Sequence, residues 1–121
     1  MDIKPEKIAA DLTGMIEGEV LVDILNRAAF STDASIYRIV PQCVVAPRSV
    51  GDVVAVVRYS KDTGIPVVAR GAGSGLAGES LGGGIVLDMM RHMNRIVEVA
   101  ADGRWITCEP GVALGQVNER L

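Results

Sequence analysis

The chain has 121 residues, with 12 lysines and arginines against 15 aspartates and glutamates, a formal net charge of −3 and 49% hydrophobic residues. That is one domain at most, too apolar for disorder and long enough to bury about two thirds of the surface its unfolded form exposes. No basic cluster supplies the attraction that nucleic-acid binding needs, no stretch nears the about 18 apolar residues of a membrane span, and Met1–Glu6 lacks the layout of a leader peptide; the chain reads as soluble and cytoplasmic, with no nucleic-acid partner and no transmembrane segment.

In chain order, apolar residues recur at helical spacing from Pro5 to Thr13, through Ile8 and Leu12, and again from Val20 to Ala29, through Leu21, Ile24, Leu25 and Ala28, predicting two short helices. Phe30-Ser31-Thr32-Asp33-Ala34-Ser35 is rich in side chains that bond back to the local backbone and predicts a loop. Val40–Ala46 reads as a strand closed by Pro47. A helix follows, with Ser49 as its cap, Asp52 complementing the dipole of its first turn, an apolar stripe through Val50, Val53, Val54 and Val57, and Gly64 at its end. Val67–Ala69 is a second strand, and this β-α-β unit predicts two parallel strands that lie side by side.

Arg70–Gly84 then holds seven of the fourteen glycines and predicts no core element. Strands are expected at Ile85–Asp88, Ile96–Val99 and Trp105–Glu109, the last two forming a hairpin around Ala101-Asp102-Gly103. Pro110-Gly111 breaks the last strand and Val112–Leu121 opens a helical pattern that stops without a C-terminal cap, so the chain is expected to be a fragment of a longer protein. Cys43 and Cys108, each in an apolar stretch, are expected as buried reduced thiols. One histidine without Cys/His spacing predicts no metal site.

The glycine segment carries the chemistry. Alternation at Gly71, Gly73 and Gly75 can aim successive N–H groups at one anion, so a phosphate or pyrophosphate is the expected ligand; a flexible connection between two strands is the alternative. Gly73-x-Gly75-x-x-Gly78 matches the dinucleotide fingerprint, with Glu98 twenty residues on, but the few residues between Gly78 and the strand at Ile85 leave no room for the helix that fingerprint requires. No Gly-Lys-Ser/Thr follows, which excludes a P-loop.

The segments Phe30–Ser35, Val45-Ala46-Pro47-Arg48-Ser49, Gly64–Gly78, Val86-Leu87-Asp88, Met93-Asn94-Arg95-Ile96 and Glu109-Pro110-Gly111-Val112 together resemble FAD-linked oxidases of the vanillyl-alcohol oxidase (PCMH) type, in the branch of the glycolate oxidase FAD subunit and D-lactate dehydrogenases. The resemblance implies an α/β (α+β) fold: the N-terminal part of a PCMH-type FAD-binding domain, a parallel βαβ unit followed by a glycine loop and further strands. Residues 1–36 would be N-terminal helices and a loop, and 37–121 the first part of the FAD-binding domain. The loop would wrap the FAD pyrophosphate through Ala69, Arg70, Gly71, Ala72, Gly73, Ser74, Gly75 and Leu76, with Gly78 and Gly111 along the same cleft. Arg70 is either a charge near the phosphates or a solvated arginine at a strand end.

Some relatives attach FAD covalently through a histidine in this loop. None is present here, so FAD is expected to be noncovalent and His92 to be a surface or capping residue. Asp88 and Glu109, at strand ends, suit capping or surface roles. The implied activity is oxidation of a small 2-hydroxy acid such as glycolate or D-lactate, with catalytic residues and substrate contacts supplied by the rest of the same polypeptide or enzyme complex. No catalytic residue is identified in these 121. A non-catalytic nucleotide- or phosphate-binding module is the alternative, and a structural fragment with an empty glycine loop a third.

Overall fold

A computed structural model describes residues 3–121; Met1 and Asp2, part of the stretch read above for a leader, lie outside the described residues. In chain order the elements are α1 (Pro5–Thr13), β1 (Glu19–Leu21), α2 (Ile24–Ala29), β2 (Cys43–Ala46), α3 (Val50–Thr63), β3 (Val67–Arg70), β4 (Ile85–Asp88), β5 (Ile96–Val99), β6 (Ile106–Cys108) and α4 (Leu114–Arg120). The sheet runs β1-β2-β4-β3, with β1 antiparallel to β2 and the other three strands parallel, while β5 and β6 form the expected hairpin. α/β architecture with a β2-α3-β3 unit followed by the glycine loop therefore stands.

β4 corrects the expectation that β2 and β3 are neighbours. It inserts between them, pairing Val44 with Val86 on one side and Val68 with Val86 on the other. The physical reason is burial. β2 and β4 are buried at every residue, whereas β3 is partly exposed, so the two most apolar strands take the centre, where both faces are covered. One face carries Cys43, Val45, Ile85 and Leu87 and packs on Ile8 and Leu12 of α1 and Val56 and Tyr59 of α3. The opposite face carries Val44, Val68 and Val86. There the returning leg of the glycine loop lies on the sheet: Gly82 packs against Val68, and Ser80 and Leu81 are buried. A segment expected to contribute no core thus contributes one wall of it.

The expected helix over Val20–Ala29 is divided. Val20 pairs with Val45 in β1, and the helix starts only after Asp23, whose carboxylate caps it by accepting the Asn26 N–H at 3.0 Å. An apolar Val-Leu pair suits helix and strand alike, and the open edge of β2 decides between them. Smaller differences follow from proline and turn chemistry: β2 begins at Cys43 after the buried Pro41, β6 spans Ile106–Cys108, and α4 starts at Leu114.

α3 begins and ends as expected, with Ser49 Oγ accepting the Asp52 N–H at 3.2 Å and Gly64 in the left-handed region at φ 77°. Asp52 does more than complement a dipole. Only 4% exposed, its carboxylate accepts N–H groups from Glu17, Gly18 and Arg48, each at 2.9 Å, and so joins the α1–β1 turn and the end of β2 to the first turn of α3. Burial alone would raise its pKa, but the N–H groups of Arg48, Glu17 and Gly18 and the Arg48 charge outweigh burial and hold it below the ordinary 3.8. A second tie runs from Tyr59 Oη to Asp11 Oδ2 at 2.7 Å; burial and the neighbouring carboxylate push the phenol up to about 12.

His92 is not a free surface group: its Nε2 lies 2.8 Å from Glu19 Oε1, and Arg91 Nη1 lies 2.7 Å from Glu19 Oε2, fastening the turn after β4 to β1. Asp88 accepts the Met90 N–H at 3.1 Å, and Glu109 accepts the Arg95 N–H at 3.0 Å, the capping roles expected of them. Cys43 is buried, with its thiol pushed up to about 12 by burial, but Cys108 is exposed because β6 belongs to a hairpin with one open face.

Two outcomes follow. Asp52→Ala leaves three N–H groups without their acceptor and is expected to cost about 3 kcal/mol in urea unfolding, and Asp52→Asn, with one acceptor oxygen left, about half of that. Since folding lowers this carboxyl's pKa, the advantage of wild type over Asp52→Ala is complete above about pH 4 and shrinks as pH falls through the folded value. A dithiobisnitrobenzoate assay is expected to titrate Cys108 in the native chain and Cys43 only after guanidinium unfolding; immediate reaction of both would contradict the burial of Cys43.

Candidate functional site

The parallel strands β2, β3 and β4 all end on one side, at Ala46, Arg70 and Asp88, and the carboxyl ends of such strands are where open α/β sheets hold ligands. β3 runs directly into the glycine loop and β4 into the turn containing Met90. Opposite them, the residues after β6 pass in front of the sheet. Between these segments lies a cleft of about 300 Å³, lined by Gly71, Ala72 and Ser74, by Met90, and by the run Pro110–Leu114.

Two glycines shape it in opposite ways. At Gly111 a Cβ would collide with the Met89 carbonyl and lie 2.6 Å from the Met93 oxygen, to which the Gly111 N–H donates at 2.8 Å; the close passage of two backbones requires glycine there. At Gly71 a Cβ would meet nothing within 4 Å. No contact inside the chain demands glycine at that position, although Gly71 lines the cleft.

Among the described residues, the N–H groups of Gly71 through Leu76 donate to no carbonyl and no side chain, whereas the next N–H, that of Ala77, is accepted by Glu79 Oε2 at 3.1 Å. These residues are exposed or half-buried, so the donors are open to the cleft side and to solvent, and a run of that kind in a glycine-rich segment can receive an acceptor-rich ligand. None of the lining residues has a titratable side chain. The cleft can bind and orient a ligand, and it offers no acid or base of its own.

Of the residues expected at the site, Gly71, Ala72, Ser74 and Gly111 are brought together in the cleft wall. Gly73, at φ 69°, turns its carbonyl to the Ala34 N–H at 2.9 Å. Gly75 lies under the Glu79 side chain, Leu76 is exposed, Ala69 is in the edge strand β3, and Gly78 lies beside Tyr37 and Ser35. The Arg70 guanidinium stacks over the Phe30 ring at 5.1 Å and donates from Nη1 to the Thr32 carbonyl at 2.8 Å. Its charge is thus set against the 30–35 segment.

That segment was legible as a loop and not as part of a site. Asp33 Oδ1 accepts the Ser35 N–H at 2.8 Å and Asp33 Oδ2 accepts from Ser80 Oγ at 2.9 Å. The hydrogen bonds with Ser35 are the largest influence holding the Asp33 carboxyl below the usual range, and Ser80 and the Arg70 charge act in the same direction. Met90 and Val112–Leu114 also line the cleft unannounced; an apolar residue in a turn carries no local sign of what it will face.

The geometry meets what known proteins record. Residues 41–121 match the FAD binding domain family. The chain is 39% identical over 107 residues to a D-2-hydroxyglutarate dehydrogenase of Pantoea ananatis, covering 86% of this chain and 10% of that protein. It is 34% identical over 90 residues to the glycolate oxidase subunit GlcD of Bacillus subtilis, covering 72% and 19%. Among solved structures, 6-hydroxy-D-nicotine oxidase from Arthrobacter nicotinovorans superimposes with a TM-score of 0.74 at 30% identity, over 87% of this chain and 23% of that one. The chain therefore spans about a tenth to a quarter of the length of these relatives.

FAD presents what this cleft lacks: a diphosphate rich in acceptors and in negative charge, able to use a row of bare N–H groups and the room left at Gly71. With the sheet, the glycine loop and the match over 41–121 in agreement, the chain belongs to the FAD binding domain family, in the fold of the vanillyl-alcohol oxidase type.

Proposed function

We propose that this chain is the diphosphate-holding part of a flavin-dependent oxidoreductase acting on a small 2-hydroxy acid. The observation that carries the reading is the run of unengaged N–H groups from Gly71 to Leu76 beside an unobstructed Gly71, at the carboxyl end of β3. The dehydrogenase and oxidase-subunit names of the relatives support the substrate class.

In this reading the N–H groups of Gly71–Leu76 hold the FAD diphosphate, the backbone of Ala69 and Arg70 leads the chain up to it, Gly111 keeps two backbone segments close enough to complete the cleft, and Gly78 turns the loop against Tyr37 and Ser35. Arg70 contributes charge at longer range while fixing Thr32 and Phe30. Bound flavin supplies two-electron redox chemistry, and the protein supplies position and electrostatics. Binding is noncovalent: the glycine loop has no histidine, and His92 is engaged by Glu19. The acid, base and substrate-binding groups come from the rest of the polypeptide or from an enzyme complex, and the setting is the cytoplasm. For the membrane question, no helix among the described residues is long and apolar enough to cross one.

Titrating the chain with FAD, with ADP as the control, is expected to give saturable quenching of flavin fluorescence. Tighter binding of ADP than of FAD would instead favour a nucleotide module without redox chemistry. In the complete polypeptide that carries these residues, D-2-hydroxyglutarate, D-lactate or glycolate is expected to bleach the flavin absorbance; no bleaching by any of the three would remove the substrate class.

The two cleft glycines separate binding from stability. Gly71→Val is expected to leave the unfolding midpoint within error of wild type, because no atom lies within 4 Å of its Cβ position, and to weaken FAD binding by about tenfold or more, because Gly71 lines the cleft. Gly111→Ala meets backbone and is expected to cost about 2 kcal/mol or more of stability. Normal FAD binding by Gly71→Val would place the diphosphate elsewhere.

A further inference from the structure

Residues Phe30–Ser35 do not line the cleft, yet they hold both legs of the glycine loop. On the outgoing leg, the Ala34 N–H donates to the Gly73 carbonyl at 2.9 Å and Arg70 Nη1 donates to the Thr32 carbonyl at 2.8 Å. On the returning leg, the buried Ser80 donates from Oγ to Asp33 Oδ2 at 2.9 Å. Asp33 Oδ1 accepts the Ser35 N–H and so fixes the shape of the segment that does the holding.

A glycine-rich segment loses more conformational freedom on ordering than any other. This one has N–H groups from Gly71 to Leu76 with no partner among the described residues, so it has no ladder of its own to offset that loss. Its order has to be imposed from outside. Order imposed before a ligand arrives does not have to be created on binding, which raises affinity without adding any contact to the ligand.

We propose that Asp33 is a positioning residue for FAD: by joining Ser80 on the returning leg to a segment that also holds Gly73 and Arg70 on the outgoing leg, it presets the loop whose N–H groups receive the diphosphate. The proposal rests on the reading of those N–H groups as the diphosphate site. It assigns to the Phe30–Ser35 motif the role of a brace, acting through the loop and never touching the cofactor.

The test uses the 15N-labelled chain, with backbone order parameters at Gly71–Gly78 measured without FAD, FAD titration by fluorescence, and thermal unfolding. Asp33→Ala is expected to lower the order parameters of the loop glycines and weaken FAD binding by about tenfold, with little change in unfolding midpoint. Asp33→Asn, which keeps an acceptor for Ser80, is expected to recover most of both. Ser80→Ala removes the same bond from the other side without disturbing the turn at Ser35, and the double variant is expected to lose no more than Asp33→Ala alone. Unchanged loop order in both single variants would overturn the brace, whatever the FAD affinity. Loosened loops with wild-type FAD affinity, or additive losses in the double variant, would overturn the positioning role. A wild-type chain with an ordered loop and no FAD binding would sink the diphosphate reading and, with it, the positioning role, and is distinguished from the other failures by its unaltered order parameters.

Discussion

Two adjacent parallel strands cannot be joined by a tight turn, and in this chain no helix joins β3 to β4. The connection must leave the carboxyl end of β3 and travel back along the sheet to the amino end of β4, and residues 71–84 do so as irregular backbone. Most of the molecule's organisation follows from that constraint. The outgoing leg is left at the carboxyl ends of the strands, where its N–H groups face no ladder. The returning leg reaches the face that carries Val68, where Gly82 packs on it, and Ser80 and Leu81 of the same leg are buried. Glycine serves both legs: on one it leaves the backbone bare beside the cleft, and on the other it lets backbone approach the sheet.

The same chain shows two opposite treatments of backbone N–H groups. Where segments must be fixed, carboxylates collect them. Asp52 takes three from two separate turns, Asp23 caps α2, and Asp33 takes that of Ser35 while holding Ser80. Each of these carboxyls is held below its ordinary pKa, so the arrangement is intact throughout the neutral range. Along Gly71–Leu76, by contrast, the N–H groups have no such acceptor among the described residues. For a chain of net charge −3, oriented dipoles of this kind suit an anion without a lysine cluster.

Much of the fold was legible because the signals were local. Ser49 and Gly64 bounded α3, the turn at Asp102-Gly103 set the hairpin, and the β-branched runs placed β3 and β4 to within a residue and the end of β2 at Ala46, although β2 starts three residues later than Val40. The glycine loop was legible as irregular backbone after β3 for the same reason: glycine alternation is a property of neighbours in sequence. Where local chemistry was ambiguous, the reading failed. Val20 and Leu21 satisfy helical spacing as well as a strand, and Asp52 looks like an ordinary first-turn acid although two of its partners, Glu17 and Gly18, lie 35 and 34 residues away.

The sequence by itself determined that this is an α/β chain with a glycine loop after a parallel strand, suited to a phosphate-bearing cofactor, because periodicity, capping and backbone freedom are set by residues within a few positions of one another. Tertiary structure alone decided that β4 lies between β2 and β3, that β1 joins the sheet, that Gly71 and Gly111 face one cleft, and that Phe30–Ser35 braces both legs of the loop. Those outcomes depend on which apolar strands compete for the buried centre and on which distant donor meets which acceptor, and neither competition is settled until the whole chain has packed.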